Sequence, residues 1–299
     1  MSRLSSARYG KENVRVCKVL RDHETGSQSV VEMTVSVLLE GEIDASYTEA
    51  DNSCVVATDS IKNTTYIVAK QNPVTPPELY ASTLGSHFIE TYPHLHVATV
   101  KVVTHRWTRM TVGGSPHPHS FFRDGAETRD VESVVRRGQG ITIQSAIAGL
   151  LVLKSTGSQF HGFIRDAYTT LPETRDRILS TEVDCSWTWA RFAGIDAVHT
   201  ASPKFDVAWE DVRNITMQTF AREDSASVQN TMYKMSHQIL AEVPDVDAVQ
   251  YSLPNKHYFE IDLSWHKGLK NTGADAEVYA PQSSPNGLIK CTVSRDVAA

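Results

Sequence analysis

Val31-Glu32-Met33-Thr34-Val35-Ser36-Val37-Leu38-Leu39-Glu40 alternates apolar and polar side chains at every step but Leu38. Successive side chains of a strand point to opposite faces, so a period of two describes a strand with one buried face and one wet face. Such a strand belongs in an antiparallel sheet, because parallel strands are covered on both sides and read as unbroken apolar runs. Asn13 to Leu20 alternates in the same way just upstream. The polar stretch Asp22 to Ser27, with Gly26, reads as the hairpin loop between the two.

Val55-Val56-Ala57 is a short apolar run that stops at Thr58-Asp59-Ser60, where Thr58 or Asp59 is placed to cap a helix over 61–70. Thr75-Pro76-Pro77-Glu78 opens a second helix by the same logic, with Leu79, Leu84, Phe88 and Ile89 at helical spacing. Leu95 to Met110 reads as a long strand, and Pro116 to Arg123 as its partner, kept near an edge by its prolines. The chain changes from one half to the other near Val131 to Gln139. Beyond it, Ile141 to Ile147 and Leu150 to Leu153 are strand-like. Thr170-Leu171-Pro172-Glu173 has the form of a helix start, which would put Arg177 one turn into that helix. Val183 to Trp189 is a strand, and 205–222 and 225–240 are amphipathic helices. Val249 to Ile261 and Leu288 to Val293 are strands on either side of a long polar loop, 265–285. Each half runs strands, helices, strands. The fold class expected is α+β, with helices on one face of an antiparallel sheet and two tandem domains, 1–136 and 137–299.

Composition agrees. The 299 residues suffice for one large domain or two of about 150. Hydrophobic residues make up 40% and charged residues 21%, the balance of a soluble globular protein. A net charge of -6 argues against non-specific nucleic-acid binding. Cys17, Cys54, Cys185 and Cys291 form no C-x-x-C pair, so neither a disulfide framework nor a zinc ribbon is indicated, and a reducing compartment is the simplest setting. No apolar run reaches the ~18 residues of a membrane span, and the N-terminus has no apolar signal core. No G-x-G-x-x-G follows a strand, and no Walker A sequence is present.

The chemistry-bearing candidates are scattered. Leu150-Leu151-Val152-Leu153 reads as a buried strand, after which small polar residues lead to Phe160, with Arg177 beyond. A flat ring and a guanidinium in one place suit a planar anion, one by stacking and the other by a bidentate fork. Taken alone, they read as a core ring and a surface cation. Thr58-Asp59 and Val228-Gln229 each sit at a helix start, where free N–H groups favour anions, although ordinary capping explains either one by itself. Asn255 and His257 are two apart on a strand and share a face. Lys11 follows Tyr9-Gly10, and a solvated lysine is the default there. His117-Pro118-His119 and His94-x-His96 lack a carboxylate or cysteine at ligand spacing, so no metal site is expected.

In combination these segments resemble the urate oxidase (uricase) family of fungal type. The resemblance rests on Ala7-Arg8-Tyr9-Gly10-Lys11, on Val55 through Thr64, and on His105-Arg106-Trp107-Thr108-Arg109. It continues through Val152 to Phe160 with Tyr168, Leu171 and Arg177, then Ser227 to Tyr233, then Leu253 to Phe259. It implies two tandem T-fold (tunnelling fold) domains and a homotetramer with active sites between subunits. It also implies cofactor-free oxidation of urate by O2 and water to 5-hydroxyisourate and hydrogen peroxide. By position, Phe160 would stack on urate, Arg177 would grip the anion, and Gln229 and the Val228 N–H would pair with one edge. Thr58 and Asp59 of a neighbouring subunit would contact the other edge. Asn255 with Thr58 would hold O2 or water, and Lys11, Thr58 and His257 would form a proton relay. No metal or other cofactor, nucleic acid or membrane is implied.

Two departures stand out. His161 follows Phe160 where close fungal relatives are expected to carry a bulky aromatic, with its side chain directed away from that of Phe160. The C-terminus ends Asp296-Val297-Ala298-Ala299, without the Ser-Lys-Leu type of peroxisomal signal. The resemblance points to the peroxisome, and a cytosolic form is the alternative. Two other functions are weighed. A non-catalytic purine-binding protein would keep the pocket and lose the relay. A pterin-acting T-fold enzyme would need a zinc set of Cys and His or a catalytic Glu, and no such set occurs here at useful spacing.

Overall fold

A computed structural model describes residues 2–296. The chain opens with the hairpin β1 (Tyr9–Arg21) and β2 (Gln28–Gly41). The helices α1 (Asp44–Thr48), α2 (Thr58–Gln71) and α3 (Pro77–Thr91) follow, then β3 (Leu95–His105), β4 (Thr108–Val112), β5 (Ser115–Phe122) and β6 (Thr128–Arg136). A second series follows: β7 (Gly140–Lys154), β8 (Leu179–Trp189), α4 (Ile195–Arg222), α5 (Val228–Glu242), β9 (Val246–Glu260) and β10 (Tyr279–Ser294). With the short helix α1 and the inserted hairpin β4–β5 set aside, two strands, a helical pair and two strands occur twice. This is the α+β order expected of a tandem T-fold.

The chain packs as two compact units. The first runs to Ala148 and takes in Ser186–Glu210 and Asp245–Asp247. The second comprises Gly149–Cys185, Asp211–Pro244 and the chain from Ala248 on.

In the first unit the strand order is β1-β2-β3-β6-β7, and each of these neighbours pairs antiparallel. Val31, Met33, Val35, Val37 and Leu39 of β2 are all buried, as the alternation requires. Helix α3 packs on β3 and β6 through its buried Leu84 and Phe88. Glu78 in its first turn is wholly buried. It accepts from Arg129 Nη2 at 2.7 Å and from Ser145 Oγ at 2.6 Å. Trp189 Nε1 in turn donates to Ser145 Oγ at 2.9 Å. A buried carboxylate is tolerable only with such partners. At the end of the hairpin that bears Lys11, Gly10 is obligatory: a Cβ there would lie 1.8 Å from the Val37 carbonyl oxygen.

In the second unit the strand order is β7-β8-β9-β10. Its core includes Val183, Cys185, Tyr251 and Leu253 from the sheet and Met232, Met235 and Ile239 from α5. Tyr251 OH meets Thr216 Oγ1 at 2.5 Å, and burial pushes the Cys185 thiol up to about 12.

Several local expectations are corrected. No helix begins at Thr170. Instead Thr174 exchanges both backbone hydrogen bonds with Phe160, each at 2.9 Å, and Glu173 accepts from Gly162 N at 3.1 Å instead of closing a capping box. Extended pairing has taken the groups that a first helical turn would need. Thr58 and Asp59 do not cap α2 but form its first residues, with Ala57 at the cap. Thr75 does not cap α3, which begins at Pro77. The strand expected over 95–110 breaks at Arg106, which is held by Asp124 and Glu127. Helix α4 starts ten residues early and carries Pro203 inside it. The apolar run after Gly149 is not uniformly buried, because Leu151 and Leu153 are 61% and 51% exposed.

Candidate active site

A cavity of about 380 Å³ beside Lys18 and Tyr66 in the first unit holds none of the candidate residues. One of about 640 Å³ in the second unit holds four of them: Phe160, Arg177, Asn255 and His257. That volume lies in the range that encloses small organic ligands. Gly273 and Ala274, from the loop between β9 and β10, and Tyr279 complete its wall.

Each side chain is placed by local structure. The pairing of Phe160 with Thr174 fixes the ring's backbone. Phe163 stacks on that ring, with centroids 4.7 Å apart and planes 13° apart, and so occupies one of its two faces. The Arg177 guanidinium carbon lies 5.2 Å from the Phe160 centroid, and Arg177 Nε donates to the buried Ser158 Oγ at 3.4 Å. Asp176 anchors the turn before it, accepting from Gly157 N at 3.0 Å and from Thr156 Oγ1 at 2.8 Å. Burial lowers the Arg177 pKa from its ordinary value, but a guanidinium stays charged in a protein. Among the described residues its side-chain partner is a hydroxyl, not a carboxylate. A half-buried cation without an acid beside it is a ready site for an anion.

Asn255 and His257 project from β9 into the same cavity, and the His257 ring stacks on Phe259 at 5.8 Å. Lys256, between them, pairs with Glu182 at 2.7 Å. Val228 and Gln229 are the first residues of α5, which Ser227 caps by accepting from Asn230 N at 3.1 Å. They do not line the cavity, but Ser225 just before them pairs with the segment before Phe160: Gln159 N donates to Ser225 O at 2.8 Å.

Lys11, Thr58 and Asp59 belong to the first unit and do not line this cavity. They share a neighbourhood of their own. Tyr9 OH accepts from Val56 N at 2.7 Å, tying the start of β1 to the segment before α2. The Asp59 carboxyl is held below its usual range, first by the hydrogen bond and charge of Lys62 and more weakly by the charge of Lys11. His161 is exposed, its Nε2 3.2 Å from Gln159 Oε1.

Sequence reasoning missed Phe163, Thr174, Asp176 and Ser225. A second aromatic at i+3 and an acid just before the arginine were visible signals. The Thr174 and Ser225 pairings have no local signature. Among the described residues no group of three His, Cys, Asp or Glu side chains is arranged to hold a metal.

The family model described as "Uricase" matches residues 7–133 and 143–290. A uricase of Emericella nidulans is 67% identical over 295 residues, covering 99% of this chain and 98% of that protein. One of Aspergillus flavus is 65% identical over the same shares. The crystal structure of uricase from Arthrobacter globiformis superposes with a TM-score of 0.88 at 35% identity, covering 100% of this chain and 97% of that one.

Proposed function

The chain belongs to the uricase family and is a urate oxidase, and on that premise we propose how it works: urate, O2 and water give 5-hydroxyisourate and hydrogen peroxide without a cofactor, at sites completed by a neighbouring subunit of a homotetramer. The observation that carries this reading is the Phe160 ring beside the uncompensated Arg177 guanidinium, on one cavity with Asn255 and His257.

Urate is a planar anion. It stacks on the Phe160 ring, and Arg177 binds its oxygens through two parallel N–H donors. The amide of Gln229 and the N–H of Val228 pair with the adjacent edge. Thr58 and Asp59 of a neighbouring subunit meet the opposite edge, Asp59 chiefly through its backbone at a helix start. Ground-state O2 is a triplet and reacts slowly with closed-shell molecules. A urate dianion is electron-rich enough to give up one electron, so the protein's task is to remove protons, stabilise negative charge and place O2. Lys11, Thr58 and His257 move the protons, and Asn255 with Thr58 holds O2 or water above the ring. Atoms and electrons balance: O2 takes two electrons and two protons and leaves with both its oxygens as hydrogen peroxide, while water supplies the one oxygen that the product gains over urate.

Lys11, Thr58 and Asp59 do not line the cavity that holds Phe160 and Arg177, which supports a site completed by another chain. The two repeats are read as 1–136 and 137–299, on the order of their elements. A peroxisomal setting follows the family, with a cytosolic one as the alternative. The last three residues lie outside the described residues. Among the described residues no helix is long and apolar enough to cross a membrane.

The test is turnover of urate by chelator-treated protein, read as loss of urate absorbance with peroxide formed in equal amount. Activity abolished by chelator and restored by copper or iron would refute the cofactor-free mechanism.

A further inference from the structure

Lys154 ends β7, and its ammonium turns into the protein instead of reaching for water, as lysine commonly does. It donates to Glu223 O at 2.7 Å and to Ser225 Oγ at 2.9 Å, with the centre of the Phe220 ring 5.5 Å away. Among the described residues both hydrogen-bond acceptors are neutral oxygens. Burial pulls the Lys154 pKa down, and the charges of Asp224 and Glu223 push it back up. Ser225 is wholly buried, and its hydroxyl also accepts from Thr231 Oγ1 at 3.0 Å. Its main chain bridges Ser158: Ser225 N donates to Gly157 O at 2.9 Å, and Gln159 N donates to Ser225 O.

This node joins the two parts of the urate platform. Phe160 lies two residues beyond Ser158 on one side of the bridge, and the α5 start at Val228 lies three residues beyond Ser225 on the other. We propose that Lys154, acting through Ser225 and Thr231, is a positioning residue for urate that sets the spacing between the stacking ring and the amide groups at the α5 start. The inference rests on the reading of Phe160, Val228 and Gln229 as urate contacts. Charge-assisted hydrogen bonds are stronger and shorter than neutral ones, so the ammonium fixes Ser225 more firmly than a hydroxyl would. Small misplacements of a bound reactant are costly, and that is the reason for such a clamp.

The experiment measures urate binding by equilibrium dialysis without O2, then oxidation with O2, for the unaltered protein, Lys154→Met and Thr231→Val. The unaltered protein must bind urate, or the underlying reading fails and this one falls with it. Lys154→Met should weaken anaerobic binding about tenfold. KM should rise in parallel and the pH profile of kcat should not move, because the relay is untouched. If Lys154→Met does not fold, Thr231→Val carries the same expectation at about threefold. A lowered unfolding temperature with unchanged urate binding in the folded variant would mean that the node is merely structural, and would overturn the proposal. So would a fall in kcat with unchanged binding.

Discussion

The backbone N–H of Val56 donates to the hydroxyl of Tyr9 across 2.7 Å, so the strand that carries Lys11 is fastened to the segment that leads into Thr58. Two members of the proposed relay are thus held by a bond that neither of them makes. Tyr9→Phe deletes the acceptor and leaves that N–H without it. In this variant kcat should fall about three- to tenfold and anaerobic urate binding should stay as it was. Stopped-flow oxidation beside equilibrium dialysis separates the two.

Arg177 is half-buried beside Phe160 with no carboxylate partner described. Arg177→Met removes the charge proposed to meet the urate anion, and binding should weaken by about 100-fold or more. Arg177→Lys keeps the charge and loses the planar fork, so its loss should be smaller but still clear. Equal affinity in all three proteins, measured by dialysis, would remove Arg177 from the site.

Asn271 staples the loop that closes the cavity wall. Its Nδ2 donates to Ile261 O at 2.9 Å and Val278 O at 2.7 Å, and its Oδ1 accepts from Glu277 N at 3.0 Å and Val278 N at 2.9 Å. The residue is 4% exposed. Asn271→Ala should destabilise the fold by about 2–4 kcal/mol and raise the KM for urate, since Gly273 and Ala274 lie on this loop. Asn271→Asp keeps the acceptor and should fall between. Denaturant unfolding and initial rates check both.

His105 is half-buried, its Nε2 2.8 Å from Thr34 Oγ1. Its pKa is lowered from the ordinary 6.5, first by burial and then by the charges of Arg15 and Arg123, with Glu32 and Asp130 opposing. The folded state therefore binds a proton less readily than the unfolded chain. This contribution to stability is full above the unfolded value and is lost as the pH falls through 6.5 towards the folded value. His105→Gln should flatten that part of the profile. Unfolding midpoints between about pH 7.5 and about pH 5.5 should converge in the variant more than in the parent.

How much of this could be read beforehand differs by element. The alternation in Val31–Glu40 gave β2 its buried face, and repeated strand-helix-strand order gave the fold class. The helix expected at Thr170 failed because its cap signature is local. The groups that claimed its members, Phe160 on the Thr174 backbone and Gly162 on the Glu173 carboxylate, are remote in chain position from the cap pattern being read. Helix α4 begins at Ile195, upstream of the expected 205, and runs through Pro203, a residue that normally marks a helix boundary. At the site, Asn255 and His257 were legible from strand period alone. Phe160 and Arg177 were legible as residue types, but the pairing of Phe160 with Thr174 and the Asp176 anchor that aims Arg177 were not. Lys11 and Asp59 shared no sequence signal. Only the fold of the first unit puts them near each other.

The central claim is that Phe160 and Arg177 of one chain are completed by Lys11 and Thr58 of another. Mixing Arg177→Met with Lys11→Ala chains, unfolded and refolded together, tests it directly. Each variant alone should be nearly inactive. If sites are shared between chains, random mixing should leave about a quarter of the sites with both residues intact, and urate oxidation should return to about that fraction of the parent rate. A mixture no more active than its two components would contradict the claim and place the whole site within a single chain.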